Sequence, residues 1–243
     1  MDNETRKSMV PRPERGILRH QPCTYGSSQL GTPLHVYGPQ AAATDILILA
    51  AMHGDECDTT VVLSEALRTV PTDCMKNPVV LSVNPDGALR GTRCNARGVD
   101  LNRNWPTRNW SAKPVFYRGH GQEHQEIELS TGSAAASEPE TQCLQALVQK
   151  LQPRTVVSLH APLACVEDPD ATPLAQWIAE QLRLPLVPDV GYATPGSFGT
   201  WSVEQAINII TWELPAKSLP DLIRSHAPVL RRLIMGEYPM EAF

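Results

Sequence analysis

Short aliphatic runs and longer stretches with helical spacing alternate along this chain. Ile46-Leu47-Ile48-Leu49-Ala50-Ala51 is apolar throughout, brief, and followed by a turn containing Gly54, the pattern of a buried strand. Val79 to Val83 repeats it. Thr155-Val156-Val157-Ser158-Leu159 ends in His160, and Ile207-Asn208-Ile209-Ile210-Thr211-Trp212 ends in Glu213. Pro33 to Tyr37 predicts one more short strand.

The helical signals fall between these runs. Thr59 to Val70 carries Val61, Val62, Leu63, Ala66 and Leu67 at helix-compatible spacing. Ser137-Glu138-Pro139-Glu140 has the capping-box pattern, Ser with Glu three residues later, opening a helix towards Leu151. Thr172-Pro173 opens another, through Trp177 to Leu182, with Pro in the first turn. Pro220 to Met235 predicts a last helix, which Pro228 should kink or split in two. Strands alternating with helices imply an α/β fold: a central mixed, mostly parallel twisted sheet flanked by helices on both faces. With 243 residues and no internal linker, the chain reads as one catalytic-sized domain over 16–243 behind a loose leader at 1–15.

Composition narrows the class. Apolar residues make up 42% and charged residues 19%, enough for a substantial core. A net charge of −5 offers no global attraction to nucleic acid or to an anionic membrane. No run approaches the ~20 apolar residues needed to span a bilayer, and Met1 to Arg19 has no apolar signal core. The six cysteines form no CxxC pair, so free thiols in a reducing cytoplasm are expected.

The chemistry gathers where apolar runs stop. His53-Gly54-Asp55-Glu56 sets an imidazole and a carboxylate three positions apart, just past the Ile46 run. Alone, such a pair is more often a solvated surface feature. His160 and Glu213 change the weighing, because each closes another predicted strand, where α/β sheets present reactive groups. Two histidines and one glutamate make the open ligand set of a catalytic zinc site, which leaves one position for water. His53, Glu56 and His160 satisfy that count and leave Glu213 as the base. The two glutamates are interchangeable in principle, and spacing favours Glu56, which shares a turn with His53. His120 and His124 are four apart and make a weaker ligand pair in a Gly-flanked stretch.

The segment from Asn84 to about Thr131 is long, polar and rich in Gly, Asn and Arg, as functional loops are. Asn84-Pro85-Asp86-Gly87 is a turn signature. Arg90, Arg93 and Gly98-Val99-Asp100-Leu101-Asn102-Arg103-Asn104-Trp105 follow. The arginines read either as a solvent-exposed basic loop or as a clamp for a carboxylate, which guanidinium binds through two parallel hydrogen bonds.

Taken together and in this order, His53-Gly-Asp-Glu56, Asn84-Pro-Asp-Gly87, the Gly98 to Trp105 motif, His160 and Glu213 resemble the zinc carboxypeptidase family. The resemblance implies one zinc ion per chain held by His53, Glu56 and His160. It implies that Glu213 takes a proton from the attacking water and returns it to the leaving amine. It also implies an oxyanion arginine at Arg93, with Arg90 within a register slip. Asn102 and Arg103 would grip the free carboxylate of the departing residue. Tyr192 would cover the substrate, although a structural turn tyrosine fits Gly191-Tyr192-Ala-Thr-Pro equally.

The compact length, Ser158 to Asp168 and Gly191 to Gly199 resemble short bacterial members that act on small cell-wall (murein) peptides. That implies a polar leaving-group pocket, for which Glu167, Asp168 and Thr194 are candidates for an ammonium and Arg118 for a carboxylate. No nucleic-acid or membrane partner is expected; a homodimer is compatible but no sequence feature requires it. The rival readings are a zinc deacylase of the succinylglutamate desuccinylase or aspartoacylase type and a non-catalytic zinc- or peptide-binding module. The Asn102-Arg103 pair speaks against the first and Glu213 against the second.

Overall fold

The computed structural model describes residues 17–118 and 126–239. The expected leader, together with His120 and His124, lies outside them, as does the side chain of Arg118. Two strands, β1 (Pro22–Ser27) and β2 (Pro33–Tyr37), form an antiparallel hairpin at one sheet edge. The interior is built by β3 (Ile46–Leu49), β4 (Val79–Val80), β7 (Thr155–His160) and β10 (Asn208–Glu213). At the far side lie β8 (Val166–Glu167) and β9 (Leu186–Val187). The strand order is β1-β2-β4-β3-β7-β10-β8-β9, parallel at β4-β3, β3-β7, β7-β10 and β8-β9 and antiparallel elsewhere. The expected mixed, mostly parallel sheet is therefore present.

Every residue of β3 and β7 is buried, which is why both read as unbroken apolar runs rather than alternating ones. Alternate side chains feed two separate cores. Ile46, Ile48, Val157, Leu159, Ile210 and Trp212 pack with three helices: α1 (Cys57–Thr69), α4 (Pro173–Leu182) and α6 (Leu219–Met235). Leu47, Leu49, Val156 and Ile209 face the opposite way, onto α3 (Pro139–Leu151) and α5 (Phe198–Glu204). The period-2 direction of strand side chains thus fixes helices on both faces.

Several expectations need correction. The Val79 run is strand for only two residues. The proline in the last helix does not split it, and α6 continues through Pro228 to Met235. Ser137 does not cap α3. The cap position is Glu138, Ser137 Oγ donates to Glu138 Oε1, and Glu140 accepts from Gln29 N and from Asn95 Nδ2. Thr172, by contrast, caps α4 as expected, accepting from Ala175 N.

The segment after Asn84 is not a bare loop. It holds α2 (Pro85–Arg90), a 3-10 turn at Leu101–Arg103 and a separate antiparallel hairpin, β5 (Val115–Arg118) with β6 (Glu126–Leu129). The Asn84 turn signature is in fact a helix cap, with Asn84 Oδ1 accepting from Gly87 N. All six cysteines are free thiols, and among the described residues no helix is long and apolar enough to cross a membrane.

Candidate metal centre and active-site cavity

Three neighbouring strands deliver the site. β3, β7 and β10 run parallel, so their carboxyl ends lie on one edge of the sheet. His160 and Glu213 are Cα partners at the last rung between β7 and β10. Beyond β3 the chain bends at Ala51, a non-glycine residue with φ of 48°. That left-handed conformation is strained for alanine. It is held by Ala51 N donating to Thr59 Oγ1 at 3.1 Å and Ala51 O accepting from Asn84 N at 2.9 Å. The bend turns His53 inward.

Gly54 then passes so close to the backbone of Gly87, Ala88 and Thr92 that a Cβ would collide with it. This approach, sealed by Gly54 N donating to Arg93 O, brings the Arg93 loop against His53. Glu56 occupies the N-cap position of α1 but makes no capping hydrogen bond. Its carboxylate turns to the histidines, where the helix N-terminus favours negative charge.

The donor atoms converge. His53 Nδ1 lies 2.7 Å from Glu56 Oε1, His160 Nδ1 lies 3.0 Å from Glu56 Oε2, and the two Nδ1 atoms are 3.2 Å apart. Donors arranged tetrahedrally at the ~2.0–2.1 Å reach of zinc stand about 3.3 Å from one another. The residues therefore fit a zinc ion in donor type, number and spacing. Among the described residues this is the one grouping of its kind.

Behind the cluster lies support that the sequence reading did not single out. Asp100, fully buried, sets Oδ1 3.4 Å from His53 Nε2 and accepts Arg93 Nε on Oδ2 at 3.2 Å. In one tautomer His53 Nε2 accepts from Arg93 Nη2 at 2.9 Å. In the other its proton points to Asp100, and only this second tautomer frees Nδ1 for a metal. Ser158 Oγ stands 3.2 Å from His160 Nε2. Period-2 alternation from His160 would have marked Ser158. Asp100 was visible only as a member of the Gly98 to Trp105 motif.

The electrostatics follow from this crowding. Burial opposes charge on His53, yet Glu56 and Asp100 outweigh it and lift its pKa to about 9. Burial would raise Glu56, but His53 and His160 hold it well below the usual carboxylate range. Asp100 is likewise held low against its burial by Arg93 and His53. Glu213 goes the other way. Burial raises its pKa and Glu56 adds to the rise, against the pull of His160 and the Leu163 N–H. A carboxyl shifted upward suits a group that must accept and then release a proton.

A cavity of about 400 Å³ opens over the cluster, lined by Arg93, Asn102, Arg103, Glu167, Tyr192 and Glu213 among others. Asn102 Oδ1 accepts from Phe198 N at the start of α5, which leaves its amide group for the cavity. Arg103 is buried, with Nη1 donating to Asn102 O at 2.7 Å. Tyr192 is 59% exposed at the rim. Arg93, rather than Arg90, borders the cluster: Arg90 sits on α2 and donates to Asp86 O. Of the pocket candidates, Glu167 and Thr194 line the cavity. Asp168 does not. It is wholly buried and accepts from Asp170 N, Thr172 N and Thr172 Oγ1, shaping the entry to α4.

A sequence profile of the zinc carboxypeptidase family matches residues 24–162. The chain belongs to that family. Murein peptide amidase A of Escherichia coli (strain K12) is 48% identical over 207 residues, 84% of this chain and 86% of that one. Murein peptide amidase A of Vibrio campbellii (strain ATCC BAA-1116) is 43% identical over 238 residues, 97% of this chain and 96% of its own. The crystal structure of murein-tripeptide amidase from Escherichia coli O157 superposes with a TM-score of 0.89 at 43% identity, covering 96% of this chain and 98% of that chain. Family membership makes the protein a zinc-dependent hydrolase.

Proposed function

We propose that this hydrolase cleaves the amide between the γ-carboxyl of D-glutamate and meso-diaminopimelate in the murein tripeptide L-Ala-γ-D-Glu-meso-diaminopimelate. The products are free diaminopimelate and L-Ala-D-Glu, released during turnover of cell-wall peptides. The observation that carries this reading is the near full-length similarity to two murein peptide amidases. The reading includes a cytoplasmic setting, which the free thiols support.

In this reading His53, Glu56 and His160 hold a single zinc ion per chain. When bound, zinc supplies a Lewis acid that polarises the scissile carbonyl and lowers the pKa of water. Asp100 fixes the His53 ring by accepting a hydrogen bond from Nε2–H, and Ser158 steadies His160.

Glu213 moves the proton. Its Oε2 accepts from Leu163 N at 3.3 Å, so Oε1 is the oxygen turned to the substrate. Water adds to the carbonyl carbon while its proton passes to Glu213. The C–N bond then breaks, and Glu213 returns that proton to the departing amine. Arg93 faces the developing oxyanion, a contribution of about 3 kcal/mol to the barrier in comparable sites. Asn102 and Arg103 bind the free α-carboxylate of the departing residue, and Tyr192 closes over the complex from the rim.

Mass spectrometry of zinc-loaded protein incubated with the γ-linked tripeptide, beside an α-linked peptide of the same composition, tests the proposal. Release of diaminopimelate from the γ-linked peptide alone is the expected result. Cleavage of only the α-linked peptide would overturn the substrate assignment and leave the hydrolytic machinery standing. No cleavage of either, with zinc bound, would bring the deacylase reading forward.

A further inference from the structure

The cavity wall carries charge of both signs. Arg93 and Arg103 line it, and so do Glu56, Glu167, Asp189, Glu204 and Glu213. Glu167 owes its position to strand register. It is the antiparallel partner of Thr211, which lies two residues before Glu213 on β10. Residues two apart on a strand share a face, and so do direct cross-strand partners. The side chains of Glu167, Thr211 and Glu213 therefore rise from the sheet together. Two residues along a strand span about 7 Å and one strand crossing about 5 Å, so Glu167 stands about 9 Å from Glu213 along the sheet.

Among the described residues no arginine or lysine forms an ion pair with Glu167. The arginines that line the cavity are engaged elsewhere, Arg93 with Asp100 and Glu56, and Arg103 with the Asn102 carbonyl. The ion pairs seen among the described residues do not include Glu167. Burial and, to a lesser degree, the nearby Asp189 disfavour its charge, while the Thr211 hydroxyl, His160 and the Val190 N–H favour it. Asp189, exposed at the rim, has Oδ1 occupied by Gly191 N at 2.7 Å. A half-buried carboxylate with no arginine or lysine partner among the described residues, in the wall of a substrate cavity, is poised for a cation that arrives with the substrate.

We propose that Glu167, seconded by Asp189, binds the side-chain ammonium of the departing residue and makes the cavity selective for diamino acids. The inference rests on the function proposed above and adds the feature of the leaving group that is read. It assigns the ammonium, a group that diaminopimelate shares with lysine. Selection between those two depends on the distal carboxylate and lies with other residues.

Calorimetric titration with free amino acids tests this without turnover. The probes are meso-diaminopimelate, lysine, and 2-aminopimelate, which keeps the chain and both carboxylates but lacks the second amine. Wild-type protein should bind diaminopimelate at least ~10-fold more tightly than 2-aminopimelate. In Glu167→Gln that preference should vanish, with affinity for 2-aminopimelate held or improved; Asp189→Asn should reduce it by a smaller factor. Equal affinity of wild-type protein for the two probes would overturn the proposal, a comparison that needs no variant to fold. So would a preference that survives in folded Glu167→Gln. Turnover of the γ-linked tripeptide, measured in parallel, judges the function separately. Its absence alongside the predicted binding pattern would sink the amidase reading and leave the ammonium site.

Discussion

His53 and His226 are equally hidden from solvent, at 3% and 2% exposure, and they experience opposite environments. His226 sits on α6, where Nδ1 accepts from Trp212 Nε1 at 3.0 Å and the ring stacks obliquely on the indole. Burial lowers its pKa to about 4, with Lys217 adding to the fall, so it is a neutral member of the core. His53 is surrounded by Glu56, Asp100 and Arg93, and carboxylates lift its pKa to about 9. Burial alone therefore says nothing about a histidine's role. The charges enclosed with it do, and enclosing several charges is costly unless a ligand or a reaction uses them.

The comparison is broken most severely by removing one imidazole from each place. His53→Ala should lose stoichiometric zinc and drive hydrolysis below detection, with the circular dichroism of the fold retained. His226→Leu should keep zinc and turnover and instead orphan the Trp212 N–H, lowering stability by about 1–3 kcal/mol in denaturant titrations. Zinc retained by folded His53→Ala would refute its role as a ligand.

A smaller effect separates holding a metal from moving a proton. Glu213→Gln should lower kcat by about 10²–10⁴-fold while the zinc content stays unchanged, because an amide cannot accept the proton. Loss of zinc in that variant would make Glu213 a ligand. Smaller again is Asp100→Asn, which removes the charge behind His53. Zinc affinity should fall by about 10–100-fold in competition with a chelator, and unchanged affinity would reduce Asp100 to packing.

The mildest test is pH. The folded pKa of His226 is depressed, so between about 4 and its ordinary 6.5 the unfolded chain binds the extra proton. Its contribution to stability is then fully present above 6.5 and is lost as pH falls towards 4, by a few kcal/mol at most. Thermal melts across that window should show a slope that His226→Leu reduces. An identical slope in the variant would mean that other groups carry the acid sensitivity.

The α/β class was legible because β3 and β7 are buried on both faces and so appear as unbroken apolar runs. The Thr172 cap was legible because its hydrogen bond is local. The Ser137 box misled for the converse reason. Glu140 was taken by distant partners, Gln29 and Asn95, and no local pattern reports such competition. The short strands β8 and β9 were invisible, since two residues carry no periodicity.

The candidate ligands were readable because three of the four key groups, His53, His160 and Glu213, sit at or just past the ends of apolar strands, and Glu56 shares a turn with the first. Sequence by itself determined residue types, their order and the strand ends that carry them. It favoured Arg93 over Arg90 only by resemblance and treated Glu167 and Asp168 as equals. Only tertiary structure decided between them, through the close passage of Gly54 that draws Arg93 to the cluster and the register that sets Glu167 opposite Thr211. A chain specifies which groups exist along one dimension. Which of two neighbours faces the cavity and which braces a loop is set by pleat and backbone contact between segments far apart in sequence.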